Sequence, residues 1–376
     1  MRDVLTKLDE WWRKGETAAL ATVVGTYSSA PRQPGASMLV GPAGEAVGSV
    51  SGGCVEGAVY ELGEQVLAGG RPVLQRYGVS DDDAFAVGLT CGGIIDIFVE
   101  KVSPETYAQL GAVAEAVKAE SPVAVATVVS GPADRLGRRL VVWPDRTEGS
   151  TGSARLDDAL RDDARGLLDS GRNAMLTYGV DGQRRGEGLS VFVESFAPPP
   201  RMIVFGAIDF AAAVARIGSF LGFRVTVCDA RPVFATASRF PGANEVVVEW
   251  PHRYLQAEAQ AGRIDARTAL CVLTHDPKFD VPLLEVALRL PEVGYIGAMG
   301  SRRTHEDRLE RLRERGITDA EIARMSSPIG LDLGARTPQE TAVSMAAEII
   351  ALRWGGSGRR LSEVDGPVHH EDGRPG

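Results

Sequence analysis

The sequence predicts an α/β protein: an N-terminal α/β domain with an internal duplication, followed by a Rossmann-like domain built on a doubly wound parallel sheet. Three observations carry that prediction. Short segments recur: ATVV at 21–24 returns at 126–129, GSVSG at 48–52 has a counterpart in GSTGS at 149–153, YGV at 77–79 returns at 178–180, and FVE at 98–100 returns at 192–194. Gly48 and Gly149 stand 101 positions apart, as do Tyr77 and Tyr178, so the recurrence has a period and marks two related halves. Beyond residue 200, apolar strand-like runs alternate with helical periodicity, the pattern of βαβ units.

Composition limits the function classes. The 376 residues are too many for one ordinary core. With 44% apolar and 24% charged residues the chain has the makeup of a soluble globular protein. A net charge of −9 argues against nucleic acid and anionic membranes as partners. Four cysteines, Cys54, Cys91, Cys228 and Cys271, are too sparse for a disulfide framework and read as reduced thiols. The N-terminal stretch is charged throughout and no run is apolar for long enough to span a bilayer, so a cytoplasmic location is expected.

Taken in order, Val4, Leu5, Leu8 and Trp12 at helical spacing predict a first helix. A strand follows at 18–24, a loop with Arg32 between Pro31 and Pro34, a second strand at 36–40 and a turn at Pro42 and Gly44. Val55, Val59, Leu62 and Val66 predict a helix that stops at Gly69 and Gly70, before strands at 72–77 and 94–99. The halves cover about 15–103 and 120–196, joined by a helix at 104–118, so the N-terminal domain spans 1–196. The proline run of 197–200 is a stiff linker. The Rossmann-like domain, 201–355, has strands near 202–205, 224–228, 245–248, 269–274 and 294–298. Its last helix, 339–354, is introduced by Thr337 as cap and Pro338. The polar tail, 356–376, is expected to be disordered.

The chemistry gathers on two cysteine stretches, GSVSGGCVE at 48–56 and GLTCGG at 88–93. Gly52 and Gly53, like Gly92 and Gly93, let successive amides point at one spot, and a thiol near a helix N-terminus is activated by the dipole. A phosphate-bearing or sulfur-bearing ligand suits such a site. The duplication supplies a control: the counterparts of Cys54 and Cys91 are Arg155 and Arg185, so the fold itself does not require a small sulfur there. The competing reading is that both cysteines are merely buried, as free cysteine often is.

In the C-terminal domain, GAIDFA at 206–211 stands where a dinucleotide-binding turn would be, with Asp229 at the spacing of the ribose-binding acid. Gly206 is in place, but Ile208 fills the position where a pyrophosphate must approach the backbone, which argues against NAD(P). His275 and Asp276 follow one strand, and Ser301, Arg302 and Arg303 follow the next, where ligands of doubly wound folds bind. A serine and two arginines opening a helix suit an anion, although arginines there also read as a solvated face and His275 as a capping residue. Cys228 and Cys271 lie in apolar strands and read as core, and no metal-binding spacing is present.

These motifs resemble the XdhC/CoxI family. SAPRQPGA at 29–36, the two cysteine stretches, and RYGVSDDD at 76–83 are similar to its N-terminal domain. LTHDPKFDVPLL at 273–284, YIGAMGSRRTH at 295–305 and PIGLDLGARTPQETAVSMAAEII at 328–350 are similar to its Rossmann-type domain. The resemblance implies an accessory factor for molybdenum hydroxylases such as xanthine dehydrogenase or carbon monoxide dehydrogenase. Such a factor binds molybdenum cofactor (molybdopterin) as cargo, protects it while a cysteine desulfurase supplies sulfur, and delivers it to the apoenzyme. It implies functional positions at Arg32, Cys54, Cys91, His275, Arg302 and Arg303. Ile208 and Asp209 depart from the family's usual GAGHVA turn. Paired halves and apolar content point to a homodimer. Two other readings compete with this cofactor chaperone: an NAD(P)-dependent oxidoreductase and a scaffold that never touches the cofactor.

Overall fold

The computed structural model describes residues 1–27, 32–78, 93–184, 186–274 and 276–365. The chain divides into two compact units, one reaching Pro198 and the other starting at Pro199.

In the first unit, α1 (Leu5–Arg13) precedes β1 (Ala18–Tyr27), β2 (Ser37–Val40), β3 (Ala46–Gly48), α2 (Glu56–Gly69), β4 (Val73–Tyr77) and β5 (Ile94–Val102). After α3 (Leu110–Lys118) come β6 (Val123–Ser130), β7 (Arg139–Val142), β8 (Thr147–Ser150), α4 (Ala154–Ser170), β9 (Ala174–Gly179) and β10 (Gly188–Phe196). The two sheets have the same strand order, β3-β2-β1-β5-β4 and β8-β7-β6-β10-β9, so the duplicated sequence is a duplicated fold. Each sheet carries its own helix on one face, α2 against Ala19, Val40 and Val99, and α4 against Ala126, Leu140 and Val193. The opposite faces meet through Val24, Phe98, Val129 and Phe192. This double cover explains why β1 and β6 read as nearly unbroken apolar runs.

Two details differ from the expected elements. The helix expected at 104–118 begins only at Leu110, because Ser103 and Thr106 exchange side-chain and backbone hydrogen bonds that close a turn first. In α1 it is Trp11 that is buried, while Trp12 donates its indole N–H to the Tyr107 carbonyl at 3.0 Å.

Polar groups also enter the interior between the sheets. Glu100 and Arg139 form a buried ion pair, and the Arg139 guanidinium lies over the Tyr107 ring, 3.8 Å from its centroid. Burial pushes the Glu100 carboxyl upward against the pull of Arg139. In the register of the other half, the place of Arg139 is held by Ser37: Thr127 pairs with Arg139 as Thr22 pairs with Ser37.

The second unit contains β11 (Arg201–Phe205), α5 (Asp209–Phe220), β12 (Arg224–Asp229), β13 (Glu245–Val248), α6 (Pro251–Gln260), β14 (Ala269–Val272) and α7 (Pro277–Arg289). These are followed by β15 (Tyr295–Ala298), α8 (Arg302–Glu314), α9 (Asp319–Ile322), β16 (Met325–Ser326) and α10 (Pro338–Trp354). Its strands are parallel in the order β13-β12-β11-β14-β15-β16, a Rossmann-like sheet whose strand order reverses between β11 and β14. Residues 361–363 of the expected tail form a 3₁₀ turn, with Arg359 donating to the Glu363 carbonyl at 2.7 Å. Residues 366–376 lie outside the described residues.

Candidate functional site

Register brings the candidate segments of the first half to one edge of its sheet. Tyr27 at the end of β1 pairs with Ile94 at the start of β5, Tyr77 at the end of β4 pairs with Ile95, and Met38 near the start of β2 pairs with Gly48 at the end of β3. The chain therefore leaves this edge toward Arg32, toward Cys54 and after Tyr77, and returns to it at Gly93. Beside this edge Arg76 grips Asp96 with two hydrogen bonds of 2.7 and 2.8 Å. Its guanidinium also lies 5.1 Å from the Tyr27 ring centroid. Gly93 is buried, whereas Cys91 and Gly92, like Arg185, lie outside the described residues.

Gly48 opens the cysteine loop with φ of 89°, and a Cβ there would sit 2.4 Å from the Ser37 carbonyl oxygen, so only glycine fits. From there the loop is bonded to itself. The Glu56 carboxylate accepts from Ser49 Oγ at 2.7 Å, Ser51 N at 2.9 Å, Gly53 N at 2.8 Å and Val50 N at 3.3 Å, and also from Ser51 Oγ. Ser51 Oγ accepts the amides of Cys54 and Val55 at 3.0 Å each, and Ser49 Oγ accepts that of Gly52 at 3.0 Å. The amides that the sequence offers to a ligand at Gly52 and Gly53 thus have partners inside the loop. Partial burial would raise the Glu56 pKa, but the hydrogen bonds from Ser51 and Ser49 outweigh it and hold the carboxyl at about 2.

The twin loop shows what is particular here. Val55 and Val59 are buried where Leu156 and Leu160 are buried in the second half, each pair 101 positions apart, so Cys54 corresponds to Arg155. Yet α4 begins at Ala154, capped by Ser153, whereas α2 begins at Glu56. In the first half the chain from Gly53 to Val55 stays outside the helix, with Gly52 and Gly53 at φ of 75° and 117° and the Cys54 residue only partly covered. Asp157 plays the part of Glu56 in the twin, accepting from Ser150 Oγ, Thr151 N and Thr151 Oγ at 2.6, 2.9 and 2.6 Å.

Arg32 donates to Asp3 at 2.9 Å and lines an open groove of about 420 Å³ with Gly35, Asn173 and Ser195. Among the described residues no hydrogen bond joins it to the Cys54 loop.

In the second unit, Gly206 has φ of 111°, and a Cβ there would meet Thr274 at 2.9 Å, so the turn after β11 packs directly on the segment after β14. Asp229 is buried and engaged: its carboxylate accepts the Ala207 amide at 2.7 Å and the Arg231 side chain at 2.9 and 2.7 Å. Burial would raise its pKa, but the Arg231 and Ala207 hydrogen bonds prevail and lower it. Ile208 is the N-cap residue of α5. Asp276 caps α7 by accepting the Lys278 amide at 3.1 Å, and Ser301 caps α8 by accepting that of Thr304 at 3.2 Å. Arg302 and Arg303 are exposed in the first turn of α8, and no carboxylate among the described residues is paired with either. His275 lies outside the described residues. Cys228 and Cys271 are core residues; burial pushes both thiols up, Cys271 to about 12.

Sequence reading missed a buried network at the carboxyl ends of β14, β15 and β16. Asp280 accepts from Arg308 at 3.0 Å and from Thr274, and Arg308 also donates to the Met299 carbonyl at 2.7 Å and to Ser327 at 3.1 Å. Ser327 Oγ lies 2.9 Å from His305 Nδ1. Ser327 Oγ accepts from Arg308 and keeps both a second lone pair and its proton, so it can accept from or donate to His305 Nδ1. Among the described residues no group of three or more histidine, cysteine or acidic side chains is poised to hold a metal, and no helix is long and apolar enough to cross a membrane.

A duplicated α/β unit with a cysteine on a self-bonded loop, joined to a Rossmann-like unit with exposed arginines after β15, defines a two-unit α/β protein. The chain belongs to the XdhC and CoxI family. The model of that family matches residues 11–78 and 116–179, one stretch in each half, and the model of the XdhC Rossmann domain matches 202–349. A Bacillus subtilis (strain 168) relative, described as a probable subunit of xanthine dehydrogenase, is 31% identical over 352 residues, covering 93% of this chain and 97% of the relative. The Escherichia coli (strain K12) molybdenum cofactor insertion chaperone PaoD is 27% identical over 352 residues, covering 94% and 88%. A crystal structure described as a xanthine dehydrogenase from Bacillus halodurans superposes with a TM-score of 0.66 at 24% identity, over 96% of this chain and 97% of that one, which establishes likeness of fold.

Proposed function

We propose that this protein is a maturation chaperone that carries molybdenum cofactor to a molybdenum hydroxylase apoenzyme and protects it while a cysteine desulfurase sulfurates it. The observation that carries the reading is the near full-length similarity to an E. coli molybdenum cofactor insertion chaperone. The structure supports it at Cys54, a partly exposed residue on a loop ahead of α2, where its twin, Arg155, lies in the first turn of α4. In this reading Cys54 and Cys91 handle the sulfur-bearing end of the cofactor, and Arg32, Arg302 and Arg303 supply positive charge for its phosphate. The two units are the two working domains, and the active species is a homodimer.

An oxidoreductase using NAD(P) has less support. Ile208 stands at the position reserved for close pyrophosphate approach, and the acid expected to bind ribose, Asp229, is already bonded to Ala207 and Arg231. The deciding experiment is mass spectrometry of small molecules released from protein purified out of cofactor-producing cells, paired with activation of an apo-hydroxylase. Molybdopterin in the released fraction and activation that depends on Cys54 and Cys91 are expected. A nicotinamide nucleotide in its place, or full activation by the Cys54→Ala, Cys91→Ala double variant, would overturn the reading.

A further inference from the structure

The last helix of the second unit is built inside out. Between Ala342 and Leu352 of α10 the only polar side chains are Ser344 and Glu348, and both turn inward: Ser344 donates to the Leu331 carbonyl at 2.5 Å, and Glu348 accepts the Gly330 amide at 2.9 Å and the Tyr295 hydroxyl. Ala342, Met345 and Ile349 complete the buried side, in one core cluster with Ala211 and Val214 of α5. The outward side, where a helix of a soluble protein carries its charges, is apolar: Val343, Ile350 and Trp354 are 48%, 44% and 45% exposed. With Ala347 among them these residues stand at spacings of four, three and four, which is a single stripe along the helix. An exposed apolar patch of this kind marks a place where another surface docks.

The stripe is its own complement. Its midpoint falls at Ala346 and Ala347; Val343 and Ile350 stand equally far to either side of it, and so do the acid Glu340 and the base Arg353. Laid antiparallel on itself about a two-fold axis through that midpoint, α10 sets Val343 against the copy's Ile350 and brings small alanines together at the axis. The same rotation carries the acidic end of each helix to the basic end of the other, where Arg353 lies over the Trp354 ring, 5.0 Å from its centroid. A different protein docking here would have no use for that symmetry.

We propose that the outward face of α10, flanked by α5, is where a second copy of this chain docks, helix antiparallel to helix. This rests on the homodimer of the reading above and names its surface. A helix of 17 residues is about 25 Å long, and a face of that length and two helices' width buries about 500 Å² per copy, or about 1,000 Å² in all, the lower bound for a specific interface. A dimer of this size forms at micromolar concentrations and comes apart on dilution.

The test is sedimentation of the full-length protein over a range of concentrations, for wild type, Val343→Glu, Ile350→Lys and an equal mixture of the two variants. Wild type is expected to pass from monomer to dimer, and each variant alone to associate at least about tenfold more weakly, because it sets charges against apolar side chains at both crossings. The mixture is expected to recover dimer: one crossing then pairs the introduced acid with the introduced base, and the other keeps Val343 on Ile350. Both positions are exposed, so each variant should still melt cooperatively. Should either fail to, Val343→Ser and Ile350→Ser, which add no charge, carry the comparison. A wild type that stays monomeric at every concentration, variants that associate as wild type does, or a mixture no more dimeric than its components would overturn the proposal. The first of these outcomes, together with loss of apo-hydroxylase binding in Val343→Glu, would give the face to the hydroxylase instead. Sedimentation needs no cofactor, so failure here leaves the chaperone reading to its own mass-spectrometric test.

Discussion

Cys54 and Arg155 occupy the same place in the two halves of the first unit, each directly before a buried apolar residue, Val55 or Leu156, yet Arg155 lies in the first turn of α4 and Cys54 lies ahead of α2. The duplicated scaffold therefore tolerates a regular helix start at this point. What the first half carries there is a departure from the fold's own template, and departures of this kind concentrate at working sites.

Replacing Cys54 should leave stability nearly intact. The residue is partly exposed and outside a helix, so Cys54→Ala is expected to shift unfolding by no more than about 0.5 kcal/mol. Cys271→Ala, in a fully buried strand, should cost about 1–3 kcal/mol by opening a small cavity. Urea denaturation of the two variants compares them directly.

Glu56→Gln should be destabilising in a pH-dependent way. The native carboxyl titrates at about 2 against an ordinary value of 4.5, so its contribution is fully present above 4.5 and is lost as pH falls toward 2. The stability gap between wild type and Glu56→Gln is therefore widest at neutral pH and closes across that acid window. Chemical denaturation at pH 7, 4.5 and 3 measures the gap, and a gap independent of pH would exclude the carboxylate as its source.

Gly48→Ala and Gly149→Ala should damage the two halves alike. Both glycines have φ near 90°, at 89° and 85°, and an added Cβ would lie 2.4 Å from the Ser37 carbonyl oxygen or 2.6 Å from that of Arg139. Each substitution is expected to cost about 1–3 kcal/mol or more. Thermal melts of the two single variants should fall together.

In the second unit, Arg308→Met is expected to destabilise by about 3–5 kcal/mol, because it strands the Asp280 charge in a buried site. Arg302→Ala and Arg303→Ala, both exposed, should stay within about 0.5 kcal/mol of wild type and weaken capture of the cofactor instead. Calorimetry for stability and cofactor retention on purification separate the two effects.

The fold was legible where periodicity repeats or alternates. The recurrence of ATVV and FVE foretold two related halves, and in the structure β1 and β5 pair within the first sheet as β6 and β10 do in the second. The short strands β3, β8 and β16 escaped notice, being set by pairing to a neighbour more than by their own composition. Cys54 was visible from its glycines, but the role of Glu56 was not: an acid at a helix start reads as a dipole partner, and only where α2 begins decides that it turns back. Asp280 and Arg308 were invisible for a related reason. Each lies on a helix as an ordinary polar residue, and tertiary packing alone brings them together.

The exchange of Arg139 for Ser37 makes the two halves complementary partners. A protein assembled from two first halves would enclose a Glu100 carboxylate opposite a serine hydroxyl at both crossings, leaving each charge without its guanidinium. The acid equivalent to Glu100 in the second half, Glu194, meets the Met1 ammonium instead of a guanidinium, so the two halves answer the same buried acid with different cations. The same asymmetry appears one loop away, where the first half holds Cys54 ahead of its helix and the second half holds Arg155 within its own.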